Sequence, residues 1–154
     1  MPLNTMEDFQ RDISYRVLKR EDGTIALTAT LRDRFHDILT EVVVEGATLA
    51  IISARAEFRK SPTGDCQNVS ARLNRLVGFA IGKGLSRKLT EVLGGGEGCG
   101  NLRNLFLGLL PLALNVRAGA GFTDEDEMLD AIQEQLRGTC AGYADDPAHR
   151  SDKP

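Results

Sequence analysis

The chain has no tryptophan, and aromatic residues make up only 5% of its 154 positions. Its core must therefore be aliphatic, and a platform of aromatic rings for stacking nucleic-acid bases is not expected. It has three cysteines and two histidines, too few for a disulfide framework. The start, "MPLNTMEDFQRD", carries no basic segment followed by an apolar one, so no signal peptide is read there. With no sign of secretion, the cysteines are expected as reduced thiols in a cytoplasmic protein. Long hydrophobic runs are also missing. The longest, residues 102–116, is interrupted by Asn104, Gly108, Pro111 and Asn115 and falls short of the ~20 residues a membrane span needs. A membrane partner is not expected.

Hydrophobic residues at 42% and charged residues at 27% give an ordinary globular composition. The length suits a single domain, read as an α+β unit over 1–138, followed by a flexible tail over 139–154. The net charge of −3 is unevenly placed. Eight basic residues (Arg55, Arg59, Lys60, Arg72, Arg75, Lys83, Arg87 and Lys88) face only Glu57 and Asp65 in the middle of the chain, whereas nine acids face three bases over 118–154. Two solvated faces account for this. A basic face over 55–88 that binds an acidic protein partner, or the acidic end of another copy, is the sharper alternative. Nucleic acid as that partner has no other support.

Period-two alternation marks four strands. "ISYRVLKR" (13–20) and "TIALTATLRD" (24–33) form a hairpin around Asp22-Gly23, and "DILTEVVVEG" (37–46) and "ATLAIISARAEF" (47–58) form a second around Glu45-Gly46. Together they predict a four-stranded antiparallel meander over about 13–58. After "KSPTGD" the period becomes helical. Val69, Leu73, Leu76 and Val77 share one face with Arg72 and Arg75 turned away, and Leu85, Leu89, Val92 and Leu93 share another with Arg87 and Lys88 outside. The segment from Asn101 is apolar almost all round and reads as the central helix, bent or divided at Pro111. Thr123 reads as the N-cap of a last helix whose inner face is Met128, Ile132 and Leu136. About four helices then cover one face of the sheet.

The glycine tract "GGGEGCGN" (94–101) is neither a Walker loop nor a dinucleotide fingerprint, because it lacks the following Lys and the required spacing. It fits a tight turn into a buried helix. Cys99 lies at that helix start, where the dipole favours thiolate; a small buried hydrophobe is the equal alternative. Cys66 opens the first helix after the last strand. His36-Asp37 opens the third strand, and one strand pair returns the chain from there to Cys66 at the same end of the sheet. Cys66, Cys99 and either His36 or Asp37 are thus candidate ligands, a donor set suited to Zn²⁺ or an iron–sulfur unit. Cys99 as nucleophile, His36 as base and Asp37 as orienting group make the thiol-enzyme alternative. Cys140 has no assigned role, and His149 is read as an exposed tail residue.

Two resemblances rest on these residues. "FHD" (35–37), Cys66 after the fourth strand, "LVGFAIGKGLSRKLTEVLGG" (76–95) and "GCGNL" (98–102) resemble an uncharacterised bacterial family known as domain of unknown function 2889, over about residues 11–117. Members of that family read Gly-Cys-Thr-His-Leu where this chain reads Gly-Cys-Gly-Asn-Leu, so Asn101 stands in the place of a histidine. If that histidine is a ligand or base in relatives, the resemblance implies an altered or lost activity here. More distantly, the order "HD", "GDC" (64–66) and "GC" (98–99) is similar to the three ligand positions of NifU/IscU-type iron–sulfur scaffold proteins. His36 stands for the first scaffold cysteine and Asp37 near its aspartate. That likeness implies a scaffold-like fold and a labile cluster site.

Overall fold

The computed structural model describes residues 7–144, so His149 lies outside the described residues. Contacts divide the chain into two compact units, Met1–Arg117 and Ala118–Pro154.

The first unit is built on four strands, β1 (Asp12–Lys19), β2 (Thr24–Arg32), β3 (Asp37–Glu45) and β4 (Ile51–Lys60), paired antiparallel in the order β1-β2-β3-β4. This is the expected meander. Alternation decides its inner face. Ile25, Leu27, Ala29 and Leu31 of β2 stand opposite Val44, Val42, Thr40 and Ile38 of β3, and all eight are buried. Residues one step along point to the other face. Thr40, the one buried polar member, bonds its hydroxyl to the carbonyl of Ala29.

The fourth strand starts at Ile51, four residues later than the alternation predicts. The carboxylate of Glu45 explains the delay. It accepts hydrogen bonds from the backbone N–H groups of Ala47 (3.2 Å) and Thr48 (2.8 Å) and from the Thr48 hydroxyl (2.5 Å), folding 45–48 into a turn before Leu49 adopts φ 59°. The segment after residue 76 then pairs back on the strand entry, through Ala50 and Ala80.

The helical layer covers the inner face. A 3₁₀ segment (Gly64–Leu76) buries Val69, Leu73 and Leu76, but Val77 is exposed. Arg72 is not turned away; only 22% of its side chain is exposed. Helix α1 (Leu85–Leu93) buries Leu85, Leu89, Val92 and Leu93, as its spacing predicts. Helix α2 (Gly100–Leu109) buries Leu102, Leu105, Phe106 and Leu109 and leaves Leu107 exposed. It is a one-faced helix rather than an apolar rod. The chain turns at Pro111 and resumes as α3 (Leu112–Gly119), so the proline divides the segment.

In the second unit, α4 (Glu125–Gln135) is capped by Asp124, whose carboxylate accepts from the Glu127 N–H, not by Thr123. Three acids in its first turn suit the helix dipole. Met128 and Ile132 are half-buried and Leu136 is exposed.

Two close approaches fix the helical layer. A Cβ on Gly98 would lie 1.9 Å from the carbonyl oxygen of Leu93, whereas one on Gly108 would meet the hydroxyl end of Tyr15 at 2.2 Å. Backbone cannot yield there; a half-exposed tyrosine can. Gly98→Ala is therefore expected to lower unfolding stability by about 1–3 kcal/mol, and Gly108→Ala by clearly less. Chemical denaturation of both variants measures the difference, and equal losses contradict this packing.

Candidate functional site

The chemistry-bearing side chains of the first unit gather in two places. The first is the turn between β2 and β3. Asp33 sits there with its side chain fully buried. Its carboxylate accepts from the backbone N–H groups of Phe35 (2.7 Å) and His36 (2.8 Å), from His36 Nδ1 (2.9 Å) and from Arg11 Nε (2.8 Å). Phe9, stacked on Phe35 with ring centroids 6.1 Å apart, holds the entering chain against the turn. Burial pushes the carboxyl up, but the His36, Phe35 and Arg11 hydrogen bonds outweigh it and hold Asp33 down at about 2.

The same contacts settle the state of His36. A carboxylate only accepts, so Nδ1 carries a proton. Arginine only donates, so the amide oxygen of Asn101 must face Arg11 Nη1, at 3.0 Å. The amide nitrogen of Asn101 then faces His36 Nε2, at 3.2 Å, and Nε2 receives that N–H through its lone pair. Neither ring nitrogen has a lone pair left for a metal or for a thiol proton.

The second place is a cleft of ≈ 500 Å³ between the 3₁₀ segment and the glycine loop, lined by Asp65, Cys66, Asn68, Val69, Arg72, Gly96, Glu97, Gly98 and Cys99. The Arg72 guanidinium spans it. Its Nε donates to the Val92 carbonyl in the last turn of α1 (2.7 Å), and Nη1 to the Glu97 carboxylate (3.1 Å). Cys66 is half-buried, with its sulfur 3.7 Å from the Thr63 hydroxyl. Hydrogen bonds from the backbone and hydroxyl of Thr63 lower its thiol from the ordinary value; burial opposes them, and smaller effects of the Ser61 hydroxyl and the Asp65 charge lower and raise it respectively. Cys99 is the N-cap residue of α2. It packs against the apolar core, so the small-hydrophobe reading holds for one side of it while the other side lines the cleft. Cys140 is exposed in the second unit.

The four expected ligands are thus not one centre. Cys66 and Cys99 share the cleft, but its lining includes neither His36 nor Asp37. His36 is committed to Asp33 and Asn101. Asp37 precedes the buried Ile38, so alternation sends it to the face away from the helices, where it lies 3.4 Å from Arg32. Among the described residues no three His, Cys, Asp or Glu side chains are grouped so as to hold a metal ion. The expected Zn²⁺ or iron–sulfur site on Cys66, Cys99, His36 and Asp37 therefore finds no support among the described residues. Among the described residues, too, no hydrogen bond joins Cys99 to His36, so Cys99, His36 and Asp37 do not form a nucleophile–base–acid chain.

The basic stretch is partly neutralised in place. Arg55, Arg59, Arg72 and Lys88 each face an acid, namely Glu41, Glu57, Glu97 and Glu91. Among the described residues no helix is long and apolar enough to cross a membrane.

The family model described as a protein of unknown function (DUF2889) matches residues 9–114. The chain belongs to the DUF2889 family. The matched region takes in β1 to β4, the 3₁₀ segment, α1 and α2, and so both the DUF2889 turn at Asp33 and the DUF2889 cleft. No curated protein and no solved structure matches the chain, and the likeness to iron–sulfur scaffolds therefore finds no counterpart there. Sequence reasoning passed over Asp33 and Arg11 and read Arg72 as an outward-facing basic residue. The spacing of Asp33 three residues before His36 was the available signal for the first, since that interval lets a carboxylate reach forward in a turn.

Because Asp33 is held below its ordinary 3.8 in the folded domain, its contribution to stability is complete above about pH 4 and is lost as pH falls toward 2. Asp33→Asn is expected to cost about 2 kcal/mol at pH 7, with the two chains converging in stability below pH 4. Urea titrations across that range measure it; a constant gap down to pH 2 contradicts the assignment.

Proposed function

We propose that the DUF2889 domain of this chain performs thiol-dependent chemistry in the cleft, with Cys66 as the nucleophile. The observation that carries this reading is the setting of Cys66: it is half-buried at the wall of a cleft that also presents Asp65, Arg72 and Glu97, and its sulfur is hydrogen-bonded with the Thr63 hydroxyl. A lowered thiol is more fully thiolate near neutral pH, and thiolate is the attacking form. Cys99 was the nucleophile expected from the helix dipole; its packing against the core favours Cys66 instead. No side chain acts as base in this reading, because Thr63 already stabilises the charged form. The half-buried Arg72, held by the Val92 carbonyl, supplies a positioned charge for orienting a polar substrate.

The reading predicts that iodoacetamide alkylates Cys66 faster than Cys99 in the folded chain near pH 7.5. Its rate should rise with pH about a midpoint below that of an unstructured cysteine peptide. Thr63→Val removes the hydroxyl and should move the midpoint up toward the peptide. Peptide mapping of a pH series measures all three. A Cys66 that reacts no faster than Cys99, with a midpoint unmoved by Thr63→Val, overturns the proposal.

A further inference from the structure

We infer that Cys66 and Cys99 work as a dithiol pair that exchanges with a small zwitterionic disulfide bound in the cleft. The inference rests on Cys66 as the nucleophile and adds a role for Cys99 and a class of substrate. Two features support it beyond the presence of the sulfurs. First, both thiols line one cleft, Cys66 from the 3₁₀ segment and Cys99 from the N-cap of α2. Both are reduced. Second, the charges on the walls have opposite signs and free capacity. Arg72 uses Nε and Nη1 on Val92 and Glu97, and its Nη2 has no partner among the described residues. The Asp65 carboxylate likewise has no ion-pair partner among the described residues. One guanidinium edge and one open carboxylate match the carboxylate and ammonium of an amino acid. A free anion would meet Asp65 and Glu97, and a free cation would meet Arg72. A molecule carrying both charges meets neither penalty.

The exchange balances as two displacements. The Cys66 thiolate attacks one sulfur of the substrate disulfide, the substrate S–S bond breaks, and one substrate thiolate leaves and takes a proton from water. Cys99, as thiolate, then attacks the Cys66 sulfur of the mixed disulfide, and the second substrate thiolate leaves and is protonated in turn. One substrate disulfide has become two thiols, and two protein thiols have become one protein disulfide. A dithiol reductant reverses the protein change by the same route.

The test uses the full chain with Cys140→Ser, cystine as probe, mass spectrometry and a free-thiol count. Two cysteines should be released per chain, with a protein mass lower by two hydrogens and a Cys66–Cys99 disulfide peptide. With Cys99→Ser added, one cysteine should be released and a single cysteine adduct should remain on Cys66. Cystine should react at least about tenfold faster than the uncharged hydroxyethyl disulfide, the gain that one charge-assisted contact supplies. A lasting cysteine adduct on Cys66 in the chain that retains Cys99 overturns the pairing and leaves Cys66 as nucleophile. Equal rates for the two disulfides overturn the zwitterion class. No reaction with either disulfide, together with slow iodoacetamide alkylation of Cys66, overturns both this inference and the function it rests on.

Discussion

Everything at the cleft depends on one contact between backbones. Gly98 passes so close to the Leu93 carbonyl that no side chain fits, and the next N–H, that of Cys99, donates to the same carbonyl at 2.9 Å. The end of α1 is thereby closed by the chain that begins α2. A helix end leaves its last carbonyls without partners; here two are used, Leu93 by Cys99 and Val92 by Arg72. The glycine tract is a folded closure that sets the position of a thiol. Two of its N–H groups, those of Gly94 and Cys99, donate to carbonyls of α1.

The start of α2 is held at a second point as well. Asn101 lies two residues beyond Cys99 and ties α2 to the β2–β3 turn through His36 and Arg11. The turn is itself organised by a buried carboxylate with four donors around it. Removing one donor would leave a charge short of partners in a dry place, and such groups are costly. The imidazole is therefore a structural link, with its proton and its lone pair both assigned. Cys99 is fastened from two sides and packs on the apolar core, whereas the Cys66 sulfur is hydrogen-bonded with the Thr63 hydroxyl. That asymmetry is the physical basis for giving the two thiols different roles.

The strands and helical faces were legible because burial has a period. Ile25 to Leu31 and Ile38 to Val44 alternate without a fault, and Leu85, Leu89, Val92 and Leu93 keep helical spacing. The delayed entry of β4 was hidden because the Glu45 side chain, rather than a turn residue pair, makes the turn. The candidate site was half legible. Chain order suggested that Cys66 and Cys99 meet, and both line one cleft. It could not tell that His36 and Asp37, adjacent in sequence, leave the turn with different partners, one toward α2 and one toward Arg32. Nor could it tell that Arg72 folds inward. Its long side chain lets an outward helical position reach a carbonyl on the neighbouring helix, and hydrophobic spacing carries no record of that.

The central claim is that folding gathers two thiols, 66 and 99, from separate segments into one cleft. Cross-linking of the full chain carrying Cys140→Ser with a short bis-maleimide, followed by peptide mapping, tests it most directly. The account predicts an intramolecular Cys66–Cys99 cross-link in the native chain that disappears in urea. Single additions at each thiol without a cross-link in the native chain would contradict it.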